Sequence, residues 1–431
     1  MFVPDLEVRL SSALCRMSGQ SLCVAYSGGL DSTVLLHLLA RLAPAAGCTL
    51  QALHVHHGLS PNADAWAGHC ARECAALGVP LQQVRVAVVR DAGKGLEAAA
   101  RAARHAVFAQ ADAHWVVLAQ HADDQAETLL HRLVRGAGVA GAAAMRAQDA
   151  ARRLWRPLLG VSRADLLAWA QAQGLHWIED ESNQDAQFTR NFLRHAVLAP
   201  LNQRLPAASR NLARAAGHFA EAAELLGELA QIDAAGVALG EAESRLQFCR
   251  LGEARARNLL RHWLAGQGEL APDAARLQRC WQGLKGQAPV REVFGALAVC
   301  AYHQRLWLAP AQAPAAQATR WRGEPRLPWA GGWIELQAGM GQGCLRLDLQ
   351  CEPVFRPRGG GERLQLASNR PSRSFRQLCQ EHDIPPWLRD ELPCLWQGDS
   401  LLWIGGIGAA ASACAAPGEA GWHLRWLPAA L

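Results

Sequence analysis

The sequence predicts an α/β domain on a parallel sheet, then a mainly helical middle domain, then a small α+β C-terminal domain. Three observations predict this. Short apolar runs alternate with stretches of helical period through the first 180 residues. From about Arg190 strand signals give way to a long alanine-rich helical pattern broken at Pro200 and Pro206. Beyond a Pro/Ala/Gln linker at 311–317, alternation of apolar and polar residues returns. The expected divisions are 1–215, 216–317 and 318–431, in keeping with a chain of 431 residues, longer than one core usually organises.

The elements follow in order. Residues 22–26 are a short apolar run ending in Ser27-Gly28-Gly29, after which Val34, Leu35, Leu38, Leu39 and Leu42 recur at helical spacing. Residues 50–55, 84–89 and 115–119 are the next strands, with helices at 64–77 and 97–111 between them. Such alternation packs helices on both faces of a parallel sheet and gathers ligands at the carboxyl ends of its strands. Ser162 and Asp165 have the spacing of a cap opening a helix that Gly174 closes. Residues 240–310 read as mostly helical, and 333–349 as strands.

Composition excludes several classes. With 50% hydrophobic and 19% charged residues the chain is neither disordered nor membrane-embedded. No run of about 18 apolar residues occurs, and the first ten residues carry Asp5 and Glu7 where a signal core would be apolar, so a cytoplasmic protein without membrane contact is expected. Thirteen cysteines with no Cys-x-x-Cys disfavour a disulfide framework, a zinc ribbon and a Cys-x-x-Cys redox motif. Net charge is +5, too mild to imply a nucleic-acid partner by itself. All but two of the 43 basic residues, Lys94 and Lys285, are arginines, which suit phosphate but also follow from codon bias.

The strongest chemical signal is Ser27-Gly28-Gly29-Leu30-Asp31-Ser32 between a strand and a helix. Two glycines let the backbone approach a phosphate, and the helix behind offers unpaired N–H groups and its positive dipole end. No lysine follows, so this is not a Walker loop. The hexapeptide resembles the pyrophosphate loop of the N-type ATP pyrophosphatases (PP-loop ATPases), which adenylate a substrate oxygen. That resemblance implies an adenine nucleotide alpha hydrolase-like fold and ATP held by Ser27, Gly28, Gly29, Leu30, Asp31 and Ser32.

Further motifs stand at the other strand ends. His54-Val55-His56-His57-Gly58-Leu59-Ser60 follows the second strand, and its histidines either contact nucleotide or substrate or are ordinary polar residues at a strand exit. Glu97, Arg101 and Arg104 share one helix face, the pattern of a solvated ion-pair row. After the fourth strand comes His121-Ala122-Asp123-Asp124-Gln125-Ala126-Glu127-Thr128. Carboxylates there partly answer the helix dipole, yet three of them with a histidine facing a phosphate loop also suit magnesium binding or deprotonation of an amine. Arg132 and Arg135 lead into a flexible glycine-containing segment at 136–141.

These motifs, with Ser162-Arg163, Trp177-Ile178-Glu179-Asp180-Glu181-Ser182-Asn183 and Arg190-Asn191-Phe192-Leu193-Arg194, occur in the order and approximate spacing of the tRNA(Ile)-lysidine synthase family. The run from Arg356 to Arg363 and Ile384-Pro385-Pro386-Trp387-Leu388-Arg389 resemble that family's C-terminal domain, with Arg373 and Arg376 where lysines are expected. The resemblance implies ATP-dependent adenylation of the wobble cytidine of tRNA(Ile) with a CAU anticodon, then attack by L-lysine, giving lysidine, which pairs with adenine and moves the codon from AUG to AUA. It implies Asp31, Asp124, Glu127 and Arg104 as catalytic residues, His54 as a further ATP contact, and Mg2+ with ATP at Asp31 and Asp123. A lysine amine must be neutral to attack and its ordinary pKa is about 10.4, so Glu127 is a sensible proton acceptor.

RNA contact has separate support. Arg190 and Arg194 share a helix face, and Arg356, Arg358, Arg363, Arg373 and Arg376 cluster beside a triple-glycine turn and Trp387, a pattern suited to phosphate contact. The rivals are a PP-loop tRNA thiolase, which would need catalytic cysteines or an iron-sulfur cluster, and a non-catalytic tRNA-binding relative. No stable protein partner is implied.

Overall fold

The computed structural model describes residues 3–58, 60–87, 95–179, 189–268, 272–312, 314–341, 343–348 and 351–428. Its contacts divide the chain into two compact units, Met1–Leu225 and Leu226–Leu431.

The first unit is built on a six-stranded sheet in the order β3-β2-β1-β4-β6-β5. β1 (Ser21–Ala25) pairs in parallel with β2 (Thr49–His56) on one side and β4 (Trp115–Val117) on the other. Chain order therefore reverses at β1, which opens a crevice between the carboxyl ends of β1 and β4. Alternate residues of β1 feed opposite cores. Leu22 and Val24 pack with α1 (Val3–Cys15), α2 (Leu30–Leu42) and α7 (Arg163–Ala172), whereas Cys23 packs with Phe108 of α4 (Gly95–Ala109). α2 is buried almost all round, with Val34, Leu35, Leu36, Leu38 and Leu39 sealed from solvent, so the loop at its N-terminus stands on a rigid post.

In this unit four elements depart from the sequence reading. The third strand is Leu81–Arg85, not 84–89; its register is set by pairing of Ala52 with Leu81, and a strand on the sheet edge need not be apolar. β5 (Gln148–Asp149) and β6 (Leu154–Trp155) escape any periodicity argument because each has two residues. They nonetheless extend the sheet, β6 in parallel beside β4 and β5 antiparallel at the edge. The segment at 136–141 contains a short helix, α6 (Val139–Ala142), and is pinned by Arg132, which donates to the Gly141 and Ala144 carbonyls at 2.9 and 2.8 Å.

The second unit begins within the 30-residue α10 (Ala208–Val237) and continues through α11 (Ser244–Arg250), α12 (Glu253–Gly266) and α13 (Ala274–Lys285). The mostly helical reading of 240–310 fails at its end, where β7 (Val290–Phe294), β8 (Leu297–Tyr302) and β9 (Arg305–Pro310) form an antiparallel meander. Gly295 and His303, both at positive φ, turn its corners. Beyond it lie a five-stranded sheet in the order β10-β13-β16-β17-β18 and a three-stranded one in the order β11-β12-β19, around one core that includes Trp329, Phe355 and Trp403. Among the described residues no helix is long and apolar enough to cross a membrane.

Arg245 ties the helices to the meander. It is buried, and its guanidinium donates to the carbonyls of Gly283, Leu284, Ala288 and His303 at 3.0–3.2 Å. Arg245→Ala should cost about 3 kcal/mol in urea unfolding, because it orphans several buried acceptors at once. Arg245→Lys should recover little, since an ammonium cannot reproduce the fork.

Candidate active site

The phosphate loop is shaped by its own hydroxyls. The Ser27 N–H donates to Ser32 Oγ (3.3 Å), and the Ser32 hydroxyl donates to the Gly29 carbonyl (3.0 Å), lying 3.0 Å from Ser27 Oγ. Gly28 has φ +85°, and a Cβ there would lie 2.5 Å from Ile178 Cδ1 and 3.0 Å from Cys70 Sγ. Gly28 is therefore required twice, for conformation and for space. Ile178 closes the loop from outside, its N–H donating to the Gly28 carbonyl at 2.9 Å. That gives Ile178, in the motif that starts at Trp177, a structural part in the loop; the rest of that motif, from Asp180, lies outside the described residues. Gly29 caps α2 with no side chain in the way, leaving the N-terminal end of the helix to a ligand.

Across the crevice, α5 (Ala122–Leu133) is capped by His121, which follows β4 after three residues. His121 is 3% exposed and sits amid carboxylates, 3.5 Å from Asp31, 3.6 Å from Asp123 and 3.5 Å from Asp124. Burial alone would lower its pKa, but Asp123, Asp31 and Asp124 outweigh it and raise the imidazole to about 10. It is thus an imidazolium at neutral pH. Burial would raise Asp123, but His121, the Arg163 N–H (2.8 Å) and Ser209 together hold it far below the ordinary carboxylate range. Ser162-Arg163 earns its place by this contact: the first turn of α7 presents a backbone donor to Asp123.

Arg194 completes the cluster. It lies in a stretch of π-helix, Leu193–Leu198, between α8 (Thr189–Phe192) and α9 (Ala199–Arg204). Its Nε and Nη2 grip Glu127 at 2.5 and 3.0 Å, and Nη2 reaches Asp124 at 3.5 Å. Burial would lower its pKa, but Glu127, Asp124 and Asp31 raise it. The structure thus places Arg194 on the carboxylates rather than on an open face beside Arg190, whose side chain lies outside the described residues. Glu127 is 1% exposed and engaged, not free.

The remaining expected residues are placed as follows. His54 is buried and hydrogen-bonds through Nδ1 to the Tyr26 carbonyl (2.9 Å), bracing the root of the phosphate loop; burial lowers its pKa, so it is neutral. Arg104 is exposed on α4 together with Arg101, and the Glu97 side chain lies outside the described residues. After burial, Arg101 and Arg104 are the largest causes that push His105 down to about 4, so this side of the sheet carries a positive field. His56 pairs with Asp64 at 3.2 Å, a structural contact.

A family described as the PP-loop domain matches residues 3–201, the TilS substrate binding domain matches 245–307, and the TilS substrate C-terminal domain matches 354–426. The tRNA(Ile)-lysidine synthase of Aromatoleum aromaticum is 50% identical, over 94% of this chain and 97% of its own. The chain belongs to the tRNA(Ile)-lysidine synthase family. The Azoarcus sp. enzyme of that name is 47% identical over 99% of this chain and 95% of its own. That of Alkalilimnicola ehrlichii is 43% identical over 96% and 95%.

In the part matched by the family's C-terminal domain, the expected arginines are exposed but several are engaged. Arg358 donates to Asp390 (2.6 Å), Arg363 to the Ser372 carbonyl (2.8 Å), and Arg373 lies 3.5 Å from Glu381. Arg356 lies 6.0 Å from the Trp396 ring centroid, and Arg376 is exposed on α14 (Phe375–Glu381). Two features beside these arginines have work of their own. The N–H groups of Gly359 and Gly360 donate to the buried Glu362 carboxylate, so the turn already holds its own anion. Trp387 packs on Tyr302 and Trp307 of the meander.

Two expectations follow. Gly28→Ala should cost roughly 1–2 kcal/mol for the left-handed backbone alone, and should abolish the stabilisation that ATP gives in thermal unfolding. The second concerns His121. A folded pKa of about 10 against an ordinary 6.5 stabilises the fold fully below pH 6.5 and loses that contribution as pH rises through 10. Melting temperature should therefore fall more steeply between pH 7 and 10 in the parent than in His121→Gln. Equal slopes would remove the imidazolium from the cluster.

Proposed function

We propose that this chain is an ATP-dependent ligase that joins L-lysine to C2 of the wobble cytidine of tRNA(Ile) with a CAU anticodon, giving lysidine, AMP and pyrophosphate. The observation that carries it is the facing of a phosphate loop and a partly buried carboxylate cluster across one crevice, in a chain of this family. In the first step the cytidine C2 oxygen attacks the α-phosphate of ATP and pyrophosphate leaves. In the second a lysine amine attacks C2, loses a proton, and AMP departs with the oxygen.

Ser27 to Ser32 would hold the triphosphate through backbone N–H groups and the α2 dipole, with His54 bracing the loop and Arg104 adding positive field. Asp124 and Glu127 would draw in the lysine ammonium and accept its proton. Arg194, now gripping Glu127, orients that carboxylate. Its placement supports a role in the chemistry more than in tRNA binding.

Mg2+ fits the site in one way only. Among the described residues no three His, Cys, Asp or Glu side chains are arranged to cage a metal. Magnesium with ATP needs only one or two carboxylates beside the phosphates. Asp31 Oδ1, buried and unpartnered, suits that; Asp123, held by Arg163 and His121, is the second carboxylate. Bound there, the ion would neutralise the triphosphate.

We assign 1–215 to ATP chemistry and 216–317 and 318–431 to tRNA, the C-terminal contact resting on Arg356, Arg358, Arg363, Arg373 and Arg376. The three matched segments support this division, and a cytoplasmic setting suits 13 free cysteines. The thiolase reading is weak because burial pushes Cys70, beneath the loop, up to about 12, and Cys23 and Cys74 to about 11.

Pyrophosphate release with ATP and tRNA, with and without lysine, tests the function. Asp31→Ala should lower release by roughly a hundredfold, the scale of removing one preorganised group, and should also lower the melting temperature somewhat, because His121 loses a carboxylate partner. Glu127→Gln should spare pyrophosphate release and slow lysine transfer; equal loss of both steps would make Glu127 a structural ligand. Replacing the five C-terminal arginines should weaken tRNA binding and flatten its salt dependence.

A further inference from the structure

The second unit carries an exposed sheet face that none of the chemistry above uses. β11 (Arg326–Trp329), β12 (Gly332–Met340) and β19 (Ala420–Leu427) pair antiparallel. Leu327, Trp329, Ile334 and Leu336 turn one face into the core. By alternation the other face is outward, and its residues fall in three rows across the strands. Pro328, Trp333 and Leu427 form an apolar row; Arg326, Glu335 and Arg425 form a charged row; Gln337 and His423 form a hydrogen-bonding row.

Trp333 is 41% exposed, unlike its neighbours in the core. Its ring is braced by the Arg326 guanidinium, 4.3 Å from the centroid, which also lies 3.7 Å from Glu335. Arg425 is exposed across from Glu335, leaving an excess of positive charge beside the aromatic ring. His423 lies over two glycines: a Cβ at Gly339 would come within 2.8 Å of its ring and one at Gly343 within 3.2 Å. A flat ring, two cations against one carboxylate, and an amide and imidazole one row away match a ligand with a π face, a phosphate and hydrogen-bonding edges. An unpaired nucleotide has all three. A duplex keeps its π faces stacked inside and offers only backbone and groove edges.

We propose that the outward face of β11-β12-β19 binds unpaired nucleotides of the tRNA, with a base stacked at Trp333, its phosphate near Arg425, and its edge toward Gln337 and His423. The proposal rests on the reading of tRNA as substrate only for the source of those nucleotides. It is separate from the arginine cluster at 356–376, which addresses phosphates.

The test uses the full chain, a labelled five-nucleotide single-stranded RNA and a blunt RNA duplex, with fluorescence anisotropy as readout. Trp333→Ala should weaken binding of the single strand about tenfold, the scale of losing one stacked base, and leave duplex binding unaltered. Trp333→Phe should recover most of the loss, and Arg425→Ala should reduce the salt dependence. Equal affinity of parent and Trp333→Ala for the single strand would overturn the proposal. So would a loss of affinity that tracks a change of oligomeric state in sedimentation, which would make the face a protein-docking surface. A parent that binds the single strand through Trp333 yet releases no pyrophosphate with tRNA would sink the proposed function and leave this inference standing. A parent active on tRNA but indifferent to Trp333 would do the reverse.

Discussion

Four carboxylates, Asp31, Asp123, Asp124 and Glu127, are confined at the carboxyl end of a parallel sheet, and the rest of the site is organised by the need to neutralise them. Water does only part of it: Asp31 and Asp123 keep side-chain exposures of 31% and 25%, but Glu127 and the central His121 are nearly sealed from solvent. Left unpaired, such charges would take up protons instead. The fold supplies three kinds of compensation from three separate segments: the imidazolium of His121 at the start of α5, the guanidinium of Arg194 in the π-helix, and the backbone donor of Arg163 at the start of α7. Each segment is thereby locked to the sheet.

The same balance makes the site responsive. An ion pair with one partner as buried as Glu127 is weak evidence for stability, since desolvation offsets much of its attraction. Its value lies in holding a carboxylate in position where a cationic amine is to be received. A π-helical turn is a strained way to present an arginine, and such turns concentrate at functional sites because an extra residue per turn re-aims the side chains. Here it aims Arg194 at the acids.

The sequence made the phosphate loop, the acidic strand end and the β-α alternation legible, because each is a local pattern: glycines between a strand and a helix, carboxylates after a strand, leucines at helical spacing. It did not reveal Arg194 as a partner of Glu127. Spacing shows only that Arg190 and Arg194 share a helix face, while what that face meets depends on packing 67 residues away in sequence. β5 and β6 were illegible because two residues have no period, and the β7–β9 meander was lost in an alanine-rich helical background. His121 was visible as a member of its motif, but its protonation state follows from three carboxylates that converge only in space.

The C-terminal arginines show why composition alone overstates a nucleic-acid surface. Glycine N–H groups at 359 and 360 have the geometry that holds a phosphate, yet Glu362 already occupies them, so the turn fixes the loop that carries Arg358 and Arg363 instead of binding RNA through its backbone. Trp387, the tryptophan that follows that cluster, packs on Trp307 and Tyr302 instead. Phosphate contacts position an RNA, whereas unpaired bases are taken by exposed rings. Arg363 and Arg376 can serve the first purpose. On the outward face of β12 only Trp333 offers the second, and it does so because the strand alternation that buries Ile334 and Leu336 leaves it nowhere else to point.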